Sequence, residues 1–525
     1  MDRQASGPIR NTEGDSSIAA GLARLCLRPV DAATRERAAL HVAAWTGAAA
    51  LGAAGPLAGR LWQAAAMDGL APAAAGQDAA SACAVSAAST DAAAVAASAA
   101  APPGLRDLLF EASLGSLYEI DDTHRAALVH PGPVIVPVVL HLARLRGLPG
   151  GQALDALARG YEAAIRLGRA VGPGHYRYWH NTSTCGAVGA AAAAACAMGL
   201  DAEGLAHAMR LAATQAAGLW QIRLDDCDAK PWHTSQAALA GLRAAHLAAA
   251  GLRGPRAAFE GEKGFFAAMC PGGRAGDVLA GRAVPASSDA LPGPDALAVA
   301  GASAGSGWLI HEVSFKPWPA CRHAHPAIAA ALALRERLGR APASGELGGD
   351  GPAGQGPAGS DLPDGPGVTV ATYGDAIAFC DRMHPADPGQ ARFSLQHVIA
   401  VALLQGRLGP EHFEPPWLAD PDVAALRERI ALRADPRWQA RYPAHFGAEV
   451  TLALRGGGVM RAESADAPGD PEQPLSADAV IALAGELMAA AGWPRDEARS
   501  RLSACRALPA LRDWSGLPPL RPRLP

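Results

Sequence analysis

The chain has 525 residues and a formal net charge of −4; half of its residues are apolar and only 5% are aromatic. It carries no basic block interleaved with aromatic rings, which argues against a nucleic-acid partner. Its most apolar stretches, Ala43–Gly59 and Ala187–Leu200, are short, alanine-dominated and broken by Gly or Pro. A spanning helix needs about 20 strongly apolar residues, so no membrane segment is expected.

The length suits roughly two to four domains of ~100–200 residues. The start, from Met1 to Asp15, is polar and mixed in charge, unlike a signal peptide. Nine cysteines are scattered without a CxxC pair, as expected of free thiols in a reducing cytoplasm.

In chain order, residues 1–25 read as a disordered leader. From Pro29 to Met67 the pattern is helical, with Asp31 placed to cap. Residues 71–103 are almost all Ala, Ser, Gly and Asp, and composition leaves helix and disorder both open. Leu105–Leu252 reads as helix after helix. Thr182, Ser183 and Thr184 offer cap hydroxyls to a helix over Cys185–Met198, Asp201 caps the next, and Pro231–Ala250 forms a third. Near residue 300 the character changes. Trp308–Phe315, Gly367–Tyr373, Arg429–Arg433 and Ala448–Leu454 read as short strands, with helices at Pro326–Leu338 and Ser394–Leu408 among them. Ala341–Gly367, rich in Gly, Pro and acid, reads as a disordered insertion. Ala477–Ala491 is helical again. The predicted fold is mainly α: a large all-helical domain over 26–290 and a smaller α+β lid domain over 300–470. The C-terminal stretch, 475–525, carries a helix returning to the first domain.

One count stands out. Of 46 basic side chains only Lys230, Lys263 and Lys316 are lysine. A general drift from Lys to Arg keeps charge, so surviving lysines mark positions where a compact ammonium of adjustable pKa serves better than a planar guanidinium. Chance survival is the competing explanation.

Four clusters carry groups suited to chemistry. Glu119, Asp121, Asp122, Thr123 and His124, with His130 close behind, supply acids, bases and a hydroxyl; the plainer reading is that Asp121 and Asp122 cap a helix. His175 to Gly186 joins His180, Asn181 and Thr184 at a helix start, where free N–H groups suit a carboxylate. Lys230 and His233 share a helix face at i, i+3. Lys316, Arg322, His323 and His325 gather before a helix. His323 and His325 resemble a metal pair, but no third ligand stands at a recognisable spacing, so no metal is expected. There is no Walker loop, no GxGxxG after a strand and no GxSxG elbow. Cations, imidazoles and hydroxyls around acids suit a small polycarboxylate undergoing proton transfer α to a carboxylate.

The sequence resembles the MmgE/PrpD family. The segments that carry the resemblance are Asp121-Asp122-Thr123-His124 with His130-Pro131-Gly132, Thr184 to Ala191, and Lys230-Pro231-Trp232-His233. Glu260 to Phe266, Cys321-Arg322 with His325 to Ile328, and Ala391 to Leu395 continue it in order. The resemblance implies a helical domain with a smaller lid, a homodimer, no metal and no organic cofactor. It places Thr123, His130, His180, Lys230, Lys316 and Tyr373 in an active site between the domains. Here Glu119 stands where the family usually has a shorter acid, and Glu111–Ser116 replaces an expected Asn- and His-bearing stretch. The expected reaction is dehydration of a 2-methylcitrate-like hydroxy acid. Lys230, Lys316 and Arg322 then hold carboxylates, with Glu119, Thr123, Thr184, His233, His325 and Tyr373 completing the substrate site. His130 or His180 takes the α-proton, and Asp122 or the other histidine protonates the departing hydroxyl. Decarboxylation, epimerisation and simple polycarboxylate binding are the alternatives.

Overall fold

The computed structural model describes residues 15–65, 104–225, 227–280, 307–342, 347, 367–454 and 458–522. The expectations for 71–103 and for nearly all of 341–367 lie outside these residues.

Alanine and glycine decide the architecture. Helix α7 (Asn181–Ala197) is buried along almost its whole length, including an unbroken run of six alanines. A helix this apolar all round belongs in a core. It packs between α6 (Gly150–Ala170) and α9 (Ala229–Ala249). The approach is so close that a Cβ on Gly241 would lie 2.4 Å from that of Ala190, and one on Gly160 would lie 2.9 Å from the Gly189 carbonyl oxygen. Around this axis sit α2 (Ala32–Ala54), α4 (Leu105–Leu114), α5 (Gly132–Arg146) and α8 (Ala202–Ala213). Together they enclose one large hydrophobic core.

Local signals set the helix ends. Asp31 accepts from the Thr34 N–H and Asp201 from the Gly204 N–H, each satisfying a free donor of the first turn. Helix α1 (Ile18–Cys26) forms within the stretch expected to be a disordered leader; Ser17 caps it, and four of its apolar residues are fully buried in the large core. Helix α3 (Ala58–Ala65) follows the break at Gly55-Pro56.

A second core lies under a mixed four-stranded sheet. Its strands are β1 (Val368–Thr372), β2 (Ile430–Ala434), β3 (Ala448–Ala453) and β4 (Val459–Ser464), in the order β2-β1-β3-β4. β1 pairs parallel to β2 and antiparallel to β3; β3 pairs antiparallel to β4. Helices α10 (His325–Leu338) and α12 (Leu395–Gln405) cover it, and α11 (Gly374–Cys380) follows β1. Trp308–Phe315 is not a strand. It makes a 3-10 turn over Leu309–Glu312, held by a bond from the Leu309 N–H to the Glu162 carboxylate at 2.9 Å. Finally α13 (Ala477–Ala490) and α14 (Arg495–Arg506) pack back onto α2.

No single helix among the described residues is long and apolar enough to cross a membrane. The eight described cysteines are free thiols.

Candidate active site

A cavity of about 490 Å³ opens where segments of the two cores meet. Its floor comes from the loop between α4 and α5, the start of α7, the start of α9 and the turn before α10. Two floor residues, Glu119 and Leu128, hold non-glycine backbone at φ 53° and 51°. Such left-handed geometry is strained, and strain of this kind gathers at functional sites.

Glu119 is the hub. It is buried and ion-paired to Lys230, while its other oxygen lies 3.5 Å from the Lys316 Nζ. Lys316 in turn donates to Asp121 at 3.0 Å. Burial alone would raise the Glu119 pKa, but the two ammonium groups outweigh it and hold the carboxyl below its ordinary range. Asp121 is held well below that range, His130 and Lys316 overcoming its burial. Burial likewise disfavours the Lys230 cation, yet Glu119 and Asp121 keep its pKa above the ordinary lysine value. Two of the three lysines therefore meet on one carboxylate. Lys263 is exposed elsewhere.

His130 lines the cavity beside this network. Its Nδ1 lies 3.1 Å from the Asp121 carboxylate and 3.0 Å from the Thr123 hydroxyl. The backbone carbonyl of Asp122, 3.1 Å from Nδ1, accepts its proton, which fixes the tautomer and leaves the Nε2 of the neutral ring with its lone pair. His180 stacks on Trp220 with ring centroids 4.4 Å apart, and its Nδ1 faces that of His233 at 3.3 Å. Its buried Nε2 has no protein partner. Burial, then Lys230, drive its pKa well down, so the ring is neutral at pH 7.

Several residues expected in the site lie elsewhere. Asp122 faces the helical core rather than the cavity: it accepts from His41 Nδ1 and the Tyr161 hydroxyl, both at 2.7 Å, and from the Gly132 N–H at 2.8 Å. A Cβ on Gly132 would stand 2.6 Å from that carboxylate. Thr184 is fully buried and bonded to His175 at 2.8 Å; Thr182, two residues earlier, lines the cavity instead. His325 turns to the Ala320 carbonyl and to Arg322, away from the cavity. Tyr373 sits behind His323, to whose Nδ1 its hydroxyl bonds at 2.7 Å. His233 backs His180, and Lys316 lies beneath Glu119 and Asp121; neither lines the cavity. Arg322 lines it, ion-paired to Asp470.

His323, weighed from sequence only as half of a metal pair, also lines the cavity, and so do residues with no role in the sequence reading: Arg223, Arg382 and the rings Tyr176, Trp220, Phe379, Phe393 and Phe446. Burial lowers the His323 pKa to about 3. His323 and His325 bond different partners and do not face a common point. A different trio, His445, Asp466 and Glu472, groups its ligand atoms within 4.8 Å. The Arg125 guanidinium already binds both acids there, at 2.9 and 2.6 Å.

A mainly helical chain thus sets a buried acid–lysine–imidazole network against a cavity, groups of a kind that can exchange protons with an anionic ligand. Residues 16–277 match the MmgE/PrpD N-terminal domain and residues 318–503 the MmgE/PrpD C-terminal domain. The chain belongs to the MmgE/PrpD family. It is 25% identical to a human cis-aconitate decarboxylase over 68% of this chain and 67% of that protein. It is 31% identical to a cis-aconitate decarboxylase-like protein of Aspergillus oryzae, over 29% of this chain and 33% of the relative. It is 28% identical to 2-methylcitrate dehydratase of Salmonella typhimurium over 26% of this chain and 25% of that enzyme.

Proposed function

We propose that the protein is a lyase for a small polycarboxylate, and that it eliminates water from a 2-methylcitrate-like hydroxy acid by acid–base catalysis. The observation that carries this reading is His130, braced by Asp121 and Thr123 and lining the same cavity as Lys230. His130 Nε2 takes the proton from the carbon α to a carboxylate. The C–H electron pair becomes the new double bond, the C–O bond breaks, and the leaving hydroxide takes a proton from the Lys230 ammonium and departs as water. Thr123, Thr182 and Arg322 hold the substrate carboxylates. Glu119 and Lys316 act as positioning residues, keeping Lys230 and Asp121 in place. The sheet-bearing unit serves as a lid over this site, in a cytoplasmic homodimer.

Decarboxylation is the second reading, supported by the human relative's name and the length of chain matched. There the C–CO₂ bond breaks, CO₂ leaves, and the electron pair on carbon takes a proton from the His130 imidazolium.

Incubation with 2-methylcitrate, citrate and cis-aconitate tests both readings. Enoate absorbance with water loss by mass spectrometry supports dehydration, and CO₂ release supports decarboxylation. Proton exchange without net change identifies epimerisation. Tight binding with no turnover and no exchange identifies a binding protein and overturns the lyase reading.

A further inference from the structure

The ionic floor occupies only part of the cavity. Facing it runs a chain of rings drawn from five distant segments. Trp220 meets Tyr176 edge-on with centroids 5.6 Å apart, and Tyr176 lies 6.3 Å from Phe379 at an interplanar angle of 22°. Phe379 stacks on His323 at 4.7 Å, and His323 on Phe446 at 5.0 Å. All five line the cavity, Phe393 joins them beneath Lys230, and Ile222 and Leu224 continue the apolar surface. Leu224 is 79% exposed.

A purely polar tricarboxylate satisfies the floor but leaves this wall wet. Sites of roughly 300–1,000 Å³ lined by aromatic rings with a few converging polar groups bury apolar ligand surface. The apolar wall starts at the floor, where His180 stacks on Trp220, and Leu224 carries it to exposed surface. Charged groups on this side, Arg223, Arg382, Asp225 and Asp387, also line the cavity. The Arg223 guanidinium carbon lies over the Phe379 ring, 3.4 Å from its centroid, extending the ring surface rather than interrupting it.

We propose that the substrate is a polycarboxylate bearing an apolar arm of about four or more carbons, laid along the ring wall. The proposal rests on the lyase reading above and specifies its substrate. A hydrophobic wall of this kind makes each added methylene worth about fourfold in kcat/KM, the transfer free energy of one CH₂ expressed as a ratio.

The full-length protein is assayed against 2-alkylcitrates from methyl to hexyl, and against the matching 2-alkyl-cis-aconitates. The expected result is a rise of about fourfold per carbon up to butyl. Phe379→Ala should cut kcat/KM for the butyl compound at least tenfold more than for the methyl compound. A flat or falling series, or equal losses on both substrates in Phe379→Ala, overturns the proposal. If no compound turns over, the lyase reading fails by itself. Calorimetry with unreactive 2-alkylsuccinates then decides the arm: affinity rising with chain length supports it, and affinity independent of length overturns it.

Discussion

Asp122→Asn separates two roles that a buried carboxylate beside an active site can have. Asp122 is 7% exposed and accepts three hydrogen bonds, two of them at one oxygen. The amide keeps the shape and one acceptor oxygen. If that oxygen stays with His41 and Tyr161, the new NH₂ points at the Gly132 N–H, donor against donor. A hydrogen bond to a charged group contributes about 1.5–3 kcal/mol, and a buried donor left unsatisfied costs about 1–3 kcal/mol. Partial relaxation brings the expected loss of stability to roughly 2–4 kcal/mol. Guanidinium unfolding followed by far-UV circular dichroism, at matched m-values, reads it. The surviving folded enzyme should keep the pH profile of kcat/KM. A variant within ~0.5 kcal/mol of the parent in stability, yet nearly inactive, would refute the reasoning and make Asp122 the proton donor.

Lys230→Arg should lose far more turnover than Lys263→Arg, because the guanidinium cannot give up a proton at neutral pH and is bulkier than the ammonium it replaces; equal small losses in steady-state kinetics refute this. Acid stability should depend on Glu119 and Asp121. Their folded pKa values are depressed, so their contribution is present above the ordinary carboxylate range and is lost as pH falls through it toward the folded values; urea midpoints from pH 7 to pH 3 check the direction. His323, with a folded pKa of about 3 against 6.5, adds to the same slope. Its share is complete above pH 6.5 and fades toward pH 3, so His323→Gln should flatten that part of the curve. Gly241→Ala forces a methyl to 2.4 Å from the Ala190 Cβ and should cost about 1–3 kcal/mol by overpacking; an unchanged melting temperature contradicts the close helix contact.

Elements governed by local chemistry were legible. The Asp31 and Asp201 caps, helix α9 and strands β1 to β3 follow from residues within a few positions. Strand β4 escaped although it pairs with β3, its neighbour in sequence: Val459, Arg461 and Glu463 are exposed and only Ser464 is buried, so no alternation of buried apolar residues marks it. Trp308–Phe315 has strand-like composition, but Glu162, remote in sequence, claims its backbone. In the site, lysine scarcity pointed to Lys230 and Lys316, which meet on Glu119. Choosing between neighbours was beyond composition. Asp121 faces the lysines and Asp122 the core; His323 faces the cavity and His325 does not. A one- or two-residue step reverses the direction of a side chain, and only the surrounding elements fix it. The ring wall had no local signal at all.

The alanine axis of the bundle has a thermodynamic side. Alanine gains little from leaving water, but it has no rotamers to freeze, so along the six-alanine run of α7 the ordering cost falls on the backbone alone, about 1–2 kcal/mol per residue. A leucine core gains more per residue and must also still its side chains. The helix that presents His180 and Thr182 to the cavity is thus mounted on methyl groups and bare backbone. Side-chain hopping has nothing to act on along its alanine run. Whatever motion the site requires must come from the elements that carry its rings and from the sheet side, while the helix beneath keeps the imidazole still.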